Sequence, residues 1–190
     1  MTTGDLITDP SRPDLGGNID GGDPASWVPT LWGRLIKAFG VKTVLDVGCG
    51  QGHAVEWFRK AGCDAIGIDG LPRNVGDAVT PICLHDLFMS PYCAPCDLVW
   101  SCEVAEHIDP EKVDNFLDTL ANGRAVAMTH AMPDQRGWHH VNCQPSEYWV
   151  ERMVKRGYRH DWDLTIAWRR VAAEDGHVYF TRSGLVFWRP

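Results

Sequence analysis

Two adjacent histidines, His139 and His140, lie in the segment GWHHVN at residues 137–142. Imidazole titrates near neutral pH, so a histidine can take the proton of a reacting hydroxyl as a general base. Neighbouring residues in an extended loop point to opposite sides, so only one of the two is expected to face a pocket. Three roles stay open for the run: contact with a substrate or base catalysis, a hydrogen-bonded structural loop, or a metal site helped by His130 or Asp134.

His107, in the segment EVAEHI, is a third candidate for the same chemistry. Its alternative role is structural, as a residue at the start of a helix that orders the loop.

A glycine-rich segment, DVGCGQGH, begins at Asp46 and contains Gly48, Gly50 and Gly52. Glycines at alternate positions permit a tight turn and a close approach of the backbone to a ligand. A dinucleotide site prefers G-x-G-x-x-G, which would put its third glycine where this chain has His53. A carboxylate two residues before the first glycine opposes a phosphate and suits a cationic ligand.

The elements around these residues alternate between short apolar runs and amphipathic segments, which predicts a parallel sheet covered by helices on both faces. The predicted strands are KTVLDVG, CDAIGID, TPICL, CDLVWS, GRAVAMTH and GLVFWRP. The predicted helices are SWVPTLWGRLIKAF with Ser26 as N-cap and Gly40 as its stop, GHAVEWFRKAG, DPEKVDNFLDTLAN, PSEYWVERMVKRGY with Pro145 in its first turn, and LTIAWRRVAAEDG.

Three further segments follow the glycine loop in order: IGIDG with Asp69, LHDLF with Asp86, and CDLVWSCEVAEHI, which contains an E-x-x-E-H-type segment. Together with the glycine loop, they resemble the motifs of class I S-adenosylmethionine-dependent methyltransferases. The resemblance extends over residues 26–190. It implies an α/β fold, a Rossmann-like three-layer sandwich whose seven-stranded, mostly parallel sheet has an antiparallel last strand.

The resemblance also implies S-adenosylmethionine as the cofactor. Asp69 is expected to accept hydrogen bonds from the ribose, Asp86 to contact the adenine amino group, and the segment from Ser101 to Glu103 to lie beside the methionine end. The full set of expected cofactor-binding residues is Asp46, Gly48, Cys49, Gly50, Gly52, Asp69, Gly70, Asp86, Leu87, Ser101 and Glu103.

The implied activity is methyl transfer to a small acceptor, with a hydroxyl of a saccharide or metabolite favoured. The segment HHVNCQPSEYW is similar to one in bacterial and phage-type small methyltransferases that act on glycans and small metabolites, and this ranks His140 before His107 and His139 as the catalytic residue. No metal is expected. The alternatives are a nicotinamide-dependent oxidoreductase and an inactive cofactor-binding regulatory or scaffold protein.

Aromatic residues near the histidine run, Trp138, Tyr148 and Trp149, are candidates for a wall over an acceptor ring or sugar face. The alternative places Tyr148 and Trp149 in the buried stripe of their helix together with Met153.

Composition restricts the remaining possibilities. Residues 1–25 are rich in Gly, Asp and Pro, which predicts a flexible segment before a single domain at 26–190. The 25 acidic against 18 basic residues, a formal charge of −7, argue against nucleic acid as a partner. No apolar run reaches the ~18 residues of a membrane span, so a cytoplasmic protein is expected. The seven cysteines are expected to be reduced. A zinc site at Cys83, His85, Cys93 and Cys96 lacks a second C-x-x-C pair to support it.

Overall fold

The computed structural model describes residues 5–189, which contain nine strands and seven α-helices. The strands are β1 Leu6–Thr8, β2 Gly17–Ile19, β3 Thr43–Val47, β4 Asp64–Asp69, β5 Cys83–Leu84, β6 Cys96–Ser101, β7 Gly123–Met128, β8 Arg159–His160 and β9 Leu185–Trp188. The helices are α1 Pro29–Phe39, α2 His53–Lys60, α3 Pro72–Gly76, α4 Val113–Leu120, α5 Ser146–Lys155, α6 Trp162–Glu174 and α7 Val178–Ser183.

Seven strands form one sheet in the order β5-β4-β3-β6-β7-β9-β8. The pairs from β5 to β7 are parallel, whereas β9 runs antiparallel to both of its neighbours. The order reverses at β3 and β6, where the chain crosses from one half of the sheet to the other. The predicted fold, with its antiparallel last strand, is confirmed.

Two hydrophobic cores lie on opposite faces of this sheet, because successive side chains of a strand point to opposite sides. Val44 and Leu98 belong to one core with residues of α1, α2 and α7, while Leu45 and Val99 belong to the other with residues of α4 and α5. Helices therefore cover both faces. Among residues 5–189, no helix combines the length and the apolar character needed to cross a membrane.

Residues near the amino terminus form a hairpin in which β1 pairs with β2, with Leu6 opposite Ile19. The sequence did not predict these strands, nor β8 and α7, because each is short and lacks a clear period. Residues 1–4 and 190, which belong to the predicted segment and domain, lie outside the described residues. The predicted flexibility of residues 1–25 stays a prediction.

The predicted N-cap of α1 is wrong. Ser26 lies in a short 3-10 turn, Pro24–Ser26, and the helix begins three residues later at Pro29. Its first turn is instead capped by Asp175, which accepts hydrogen bonds from the Thr30 backbone N–H at 2.7 Å and the Thr30 hydroxyl at 2.6 Å. A carboxylate 145 residues away thus satisfies a donor of the helix terminus. At α5, Pro145 precedes the first helical residue and does not lie in the first turn.

We predict that Asp175→Ala lowers the free energy of unfolding by about 1–2 kcal/mol, the usual cost of losing a helix N-cap. Ser26→Ala, which removes the residue expected to cap the helix, should cost less. Urea unfolding of both variants measures the difference. Equal losses, or a larger loss for Ser26→Ala, would show that Asp175 does not stabilise the start of α1.

Candidate functional site

The glycine loop connects β3 to α2 at the carboxyl edge of the sheet. Gly48 has a φ of 71°, and a Cβ added there would lie 2.2 Å from the Cγ2 atom of Val104. Any larger residue would therefore be strained and would also collide with the segment after β6. The loop can take this shape because glycine occupies that position.

Asp69, at the end of β4, fixes the loop in place. Its Oδ2 atom accepts a hydrogen bond from the Gly50 backbone N–H, and its Oδ1 atom accepts bonds from the Leu71 backbone N–H and the Asn74 side-chain amide, each at 2.9 Å. Burial raises the pKa of Asp69, and the three hydrogen bonds oppose that rise because they favour the ionised form.

Asp46 lies on the neighbouring strand, buried beside Asp69. Burial first, and the charge of Asp69 second, raise the pKa of Asp46 from its ordinary value of 3.8 to about 8. A cationic ligand next to this carboxyl group would favour its ionised form.

Two adjoining cavities, of about 460 Å³ and about 80 Å³, open at this edge of the sheet. The larger one falls in the size range of small-molecule and cofactor sites. Both are lined by Leu15, Gly17, Gly48, Asp69, Glu103 and His107. The cavities are therefore parts of one continuous cleft above the strand ends.

Most of the residues predicted from the sequence line this cleft. The larger cavity adds Asp46, Cys49, Gly50 and His140 to the shared residues, and the smaller one adds Gly70, Asp86 and Leu87.

Three predicted site residues line neither cavity. Gly52 caps the start of α2 in a left-handed conformation. Ser101 is buried and donates its hydroxyl hydrogen bond to the Val47 carbonyl oxygen at 3.1 Å. His139 has a φ of 47°, in the turn that precedes His140.

Residues of the hairpin, from Asp14 to Gly17, line the small cavity. Arg12 pairs with Asp86 at 2.7 Å, and Leu15 lies 2.8 Å from the position that a Cβ of Gly70 would take. Asp86 also accepts a hydrogen bond from the Phe88 backbone N–H at 2.8 Å. The acid predicted to contact adenine is therefore already paired with a cation.

A second group of hydrogen bonds ties the hairpin to the glycine loop. The Gly21 backbone N–H donates to Gln51 Oε1 at 2.8 Å, and Gln51 Nε2 donates to Asp20 Oδ1 at 3.1 Å. Asn18 donates to the side-chain oxygen of Asn74 at 3.3 Å. Asn74 contacts Asp69 as well, so the hairpin, the loop and the end of β4 form one network.

Glu103, directly after β6, has a φ of 57°, which is uncommon for a residue other than glycine. Its backbone N–H donates to Thr129 Oγ1 at 2.8 Å, and that hydroxyl donates to Glu103 Oε1 at 3.0 Å. Burial raises the pKa of Glu103. Strained backbone of this kind is common at functional sites, and here it lies between the two cavities.

Glu106 and His107 belong to the 3-10 turn Ala105–His107. Two backbone N–H groups of the next loop, from Val141 and Asn142, donate to the Glu106 carbonyl oxygen at 2.9 and 3.0 Å. These bonds hold the His140 loop against the turn. The ring centroids of His107 and His140 consequently lie 5.2 Å apart.

The side chain of Glu106 is fully buried beside Glu103 and the Ala131 backbone, and no hydrogen bond of good geometry reaches either carboxyl oxygen. Burial, followed by the charge of Glu103, raises the pKa of Glu106 well above its ordinary value. Burial likewise lowers the pKa of His107 to about 4, and the nearby His140 adds to that shift. Glu106 is not among the site residues predicted from the sequence, although the E-x-x-E-H segment contains it.

The ring of His140 lies against Gly137, where an added Cβ would be 2.1 Å from Nε2. Only glycine leaves room for the ring there, which explains why glycine begins the GWHHVN segment. His140 Nδ1 lies 3.1 Å from the Gln135 carbonyl oxygen, and His107 Nδ1 lies 3.3 Å from that of His139.

The other proposed ligands lie elsewhere. His130 is buried, with its Nε2 atom 3.0 Å from the Ser146 hydroxyl, and Asp134 is exposed. Within residues 5–189, one group of three or more histidine, cysteine or acidic side chains is close enough to share an ion, and it consists of Glu106, His107 and His140. Cys83, His85, Cys93 and Cys96, the zinc alternative considered from the sequence, do not form such a group.

Of the three aromatic candidates for an acceptor wall, Trp138 lines the larger cavity. Trp149 is fully buried and packs against Phe116 in the same core as Met153, as the alternative interpretation proposed. Tyr148 lies beneath the guanidinium group of Arg152. Trp27 and Trp32 of the N-terminal region line the cavity with Trp138.

We predict that Asp46→Asn removes a loss of stability that develops with rising pH. Because the folded-state pKa of Asp46 is raised from 3.8 to about 8, ionisation costs the folded state stability progressively between these two values. Relative to the wild type, the variant should gain free energy of unfolding from pH 5 to pH 8.

Asp97→Asn is the matched control, since hydrogen bonds led by the Lys42 backbone N–H lower the pKa of Asp97 and its effect belongs below pH 4. Urea unfolding at both pH values makes the comparison. A constant difference between wild type and Asp46→Asn would contradict the raised pKa.

Comparison with known proteins supplies the family. Residues 23–185 match the model of a methyltransferase domain family. The ubiquinone biosynthesis O-methyltransferase of Nitrobacter winogradskyi is 27% identical over 164 residues, which cover 80% of this chain. The matched region spans 59% of that relative's length.

Solved structures share the fold. A sugar N-methyltransferase from a Streptoalloteichus species is 15% identical with a TM-score of 0.64, and the match covers 89% of each chain. The magnesium protoporphyrin IX methyltransferase of Synechocystis, solved with bound S-adenosylmethionine, is 16% identical with a TM-score of 0.58, covering 85% of this chain and 78% of that one. The chain belongs to the methyltransferase domain family whose model it matches.

Proposed function

We propose that this methyltransferase transfers the methyl group of S-adenosylmethionine to a hydroxyl of a small molecule, a saccharide or another metabolite. The observation that carries the proposal is the continuous cleft, because the glycine loop, Asp69, His107 and His140 all line its larger cavity. When bound, the cofactor supplies an electrophilic methyl group, and the chain must align and activate the acceptor.

The residues present fit the cofactor. Asp46, Gly48, Cys49 and Gly50 line the larger cavity, and we propose that they hold the cationic methionine portion. Asp69 is the proposed ribose contact. Three of the roughly four lone-pair sites of its carboxylate already accept hydrogen bonds. One site is therefore available for a ribose hydroxyl, and a second bond requires the Asn74 amide to turn away.

The adenosine portion is proposed to occupy the smaller cavity beside Gly70, Asp86 and Leu87. Arg12 and Leu15 of the hairpin already cover this position. We propose that the described part of the N-terminal segment, residues 5–25, acts as a cover over the cofactor and precedes a single domain that begins at residue 26. The same segment and the loops at 87–96 and 131–145 are the proposed determinants of acceptor choice.

A hydroxyl acceptor fits beside the histidines of the cleft, because an oxygen nucleophile must lose a proton during transfer. His140 is the proposed activating residue, and His107 lies next to it. The names of two relatives support a small acceptor: the Nitrobacter protein is an O-methyltransferase of ubiquinone biosynthesis, and the Streptoalloteichus protein methylates a sugar.

The nicotinamide alternative loses its basis, since His53, at the place of a third glycine, begins α2. The second alternative, an inactive cofactor-binding protein, is distinguished from an enzyme by experiment.

The purified chain is incubated with methyl-labelled S-adenosylmethionine and panels of phenols, catechols and saccharides, each paired with an analogue whose hydroxyl is already methylated. We expect label in at least one hydroxyl compound and none in its methyl ether. Label on nitrogen or carbon, or on no acceptor of the panels, would contradict the proposal.

We predict that Asp69→Asn and His140→Ala affect different quantities. Asp69→Asn removes the charge that strengthens hydrogen bonds to the ribose, so calorimetry should show at least about tenfold weaker binding of S-adenosylhomocysteine. His140→Ala should leave that affinity unchanged while lowering kcat by ~10²- to 10⁴-fold, the usual contribution of a positioned acid–base group.

Asp97→Asn controls for stability, because Asp97 also accepts backbone hydrogen bonds, from Lys42 and Thr43, at a distance from the cleft. It should retain both affinity and kcat. If His140→Ala lowers thermal stability and spares kcat, the histidine has a structural role. Unchanged affinity in Asp69→Asn would place the ribose elsewhere.

A further inference from the structure

Three side chains converge beside the larger cavity: Glu106 and His107 from the turn after β6, and His140 from the loop after β7. One ligand atom of each lies within 4.8 Å of the others. Backbone hydrogen bonds from Val141 and Asn142 to Glu106 hold the two segments in this arrangement. The convergence is therefore a feature of the fold at this place and not of one flexible side chain.

The carboxyl group of Glu106 is the second observation. Its side chain is fully buried, and no hydrogen bond of good geometry reaches either oxygen from the described residues, where its polar neighbours are Glu103 and the Ala131 backbone. A buried carboxylate without a partner is costly, and proteins compensate it by pairing or by metal coordination. Glu103, at the same end of the cleft, adds a second negative charge next to it.

Hydrogen bonds also determine the tautomer of the two imidazole rings, and it is the tautomer that a metal ion requires. Each Nδ1 atom lies beside a backbone carbonyl oxygen, of His139 for His107 and of Gln135 for His140. A carbonyl can only accept, so each Nδ1 carries the proton and each Nε2 retains its lone pair. Histidine ligands of metal ions commonly donate their other N–H to a backbone carbonyl in this way.

We propose that Glu106, His107 and His140 bind one divalent first-row transition metal ion, with positions left open toward the larger cavity. Two imidazoles and one carboxylate are typical ligands of zinc and of iron(II), whereas magnesium favours oxygen ligands and bound water. From the sequence alone, His140 is expected to act as a metal-free base. The burial of Glu106 is what changes that interpretation.

The role of the ion rests on the proposed function. An acceptor hydroxyl that binds the ion becomes more acidic. Its O–H bond breaks with the proton released to solvent, the oxygen forms a bond to the methyl carbon, and the bond from that carbon to the sulfonium breaks, leaving a thioether. The ion is neither oxidised nor reduced. His140 would then act through the ion instead of taking the proton itself.

The site is tested first without cofactor or acceptor. The full chain, freed of any affinity tag and treated with chelator, is titrated with Co²⁺ while visible absorption is recorded, and with Zn²⁺ and Mg²⁺ by calorimetry. We expect one ion per chain for Co²⁺ and for Zn²⁺, and weaker binding of Mg²⁺. The visible spectrum of bound Co²⁺ should be that of a nitrogen-ligated ion. A preference for Mg²⁺, or the spectrum of hydrated Co²⁺ throughout, would overturn the proposal.

Single variants locate the site. His107→Ala, His140→Ala and the isosteric Glu106→Gln should each weaken Co²⁺ binding by at least ~10- to 100-fold, because even the loss of a residue that only hydrogen-bonds to a ligand side chain commonly costs this much. His139→Ala is the matched control, since this neighbouring side chain lies outside the cleft, and it should retain the affinity. Glu106→Gln also controls for folding: its thermal unfolding without metal should resemble the wild type, while the rise in Tm on adding Zn²⁺ disappears.

Activity separates this proposal from the proposed function. With an acceptor in hand, chelator should abolish methyl transfer and Zn²⁺ or Mn²⁺ should restore it. Metal binding by the wild type without transfer to any hydroxyl would refute the proposed function and leave the metal site standing. Transfer that persists in chelator, by a chain that binds no Co²⁺, would overturn the metal site and return His140 to the role of a base.

Discussion

The hydrogen bond from the Gly50 backbone to Asp69 is the interaction on which the cleft depends. Because β3 and β4 are adjacent and parallel, the chain leaves both strands at the same edge, and the carboxylate that ends one strand meets the loop that follows the other. The same carboxylate binds Leu71 and Asn74, and Asn74 contacts Asn18 of the hairpin. One acidic side chain thus positions the loop, the turn after β4 and the cover of the cleft.

Much of the fold could be predicted because its signals are local. The strands at β3 and β6 are apolar on both sides, since residues such as Val44 and Leu45 enter opposite cores, and the runs between them have a helical period. The cap of α1 could not be predicted in this way. Its first turn is bound by Asp175, whose proximity exists only after α6 has packed, so nearby Ser26 was the better guess from sequence and was wrong.

The candidate site also contains residues that the sequence could predict and residues that it could not. The glycine loop, Asp69 and Glu103 lie next to strands that the pattern predicts, and the structure places them in the cleft. Glu106 lies in the same segment as Glu103, CDLVWSCEVAEHI, but its significance depends on its burial. The loop that packs against it, with Val141 and Asn142, follows a different strand, β7. The hairpin is a further case, because three-residue strands at Leu6–Thr8 and Gly17–Ile19 are too short to show a period.

Buried acidic side chains occur in pairs at two places beside the cleft. Asp46 and Asp69 lie at the glycine loop, and Glu103 and Glu106 at the histidines, and burial raises the pKa of all four. Such groups cost the folded chain stability unless protons or cations neutralise them. At the proposed sites, a sulfonium cofactor would bring positive charge to the first pair and a divalent ion would bring it to the second. The carboxylates that make the free protein less stable would then be the ones that favour cations, and each bound cation would return stability to the fold by mass action.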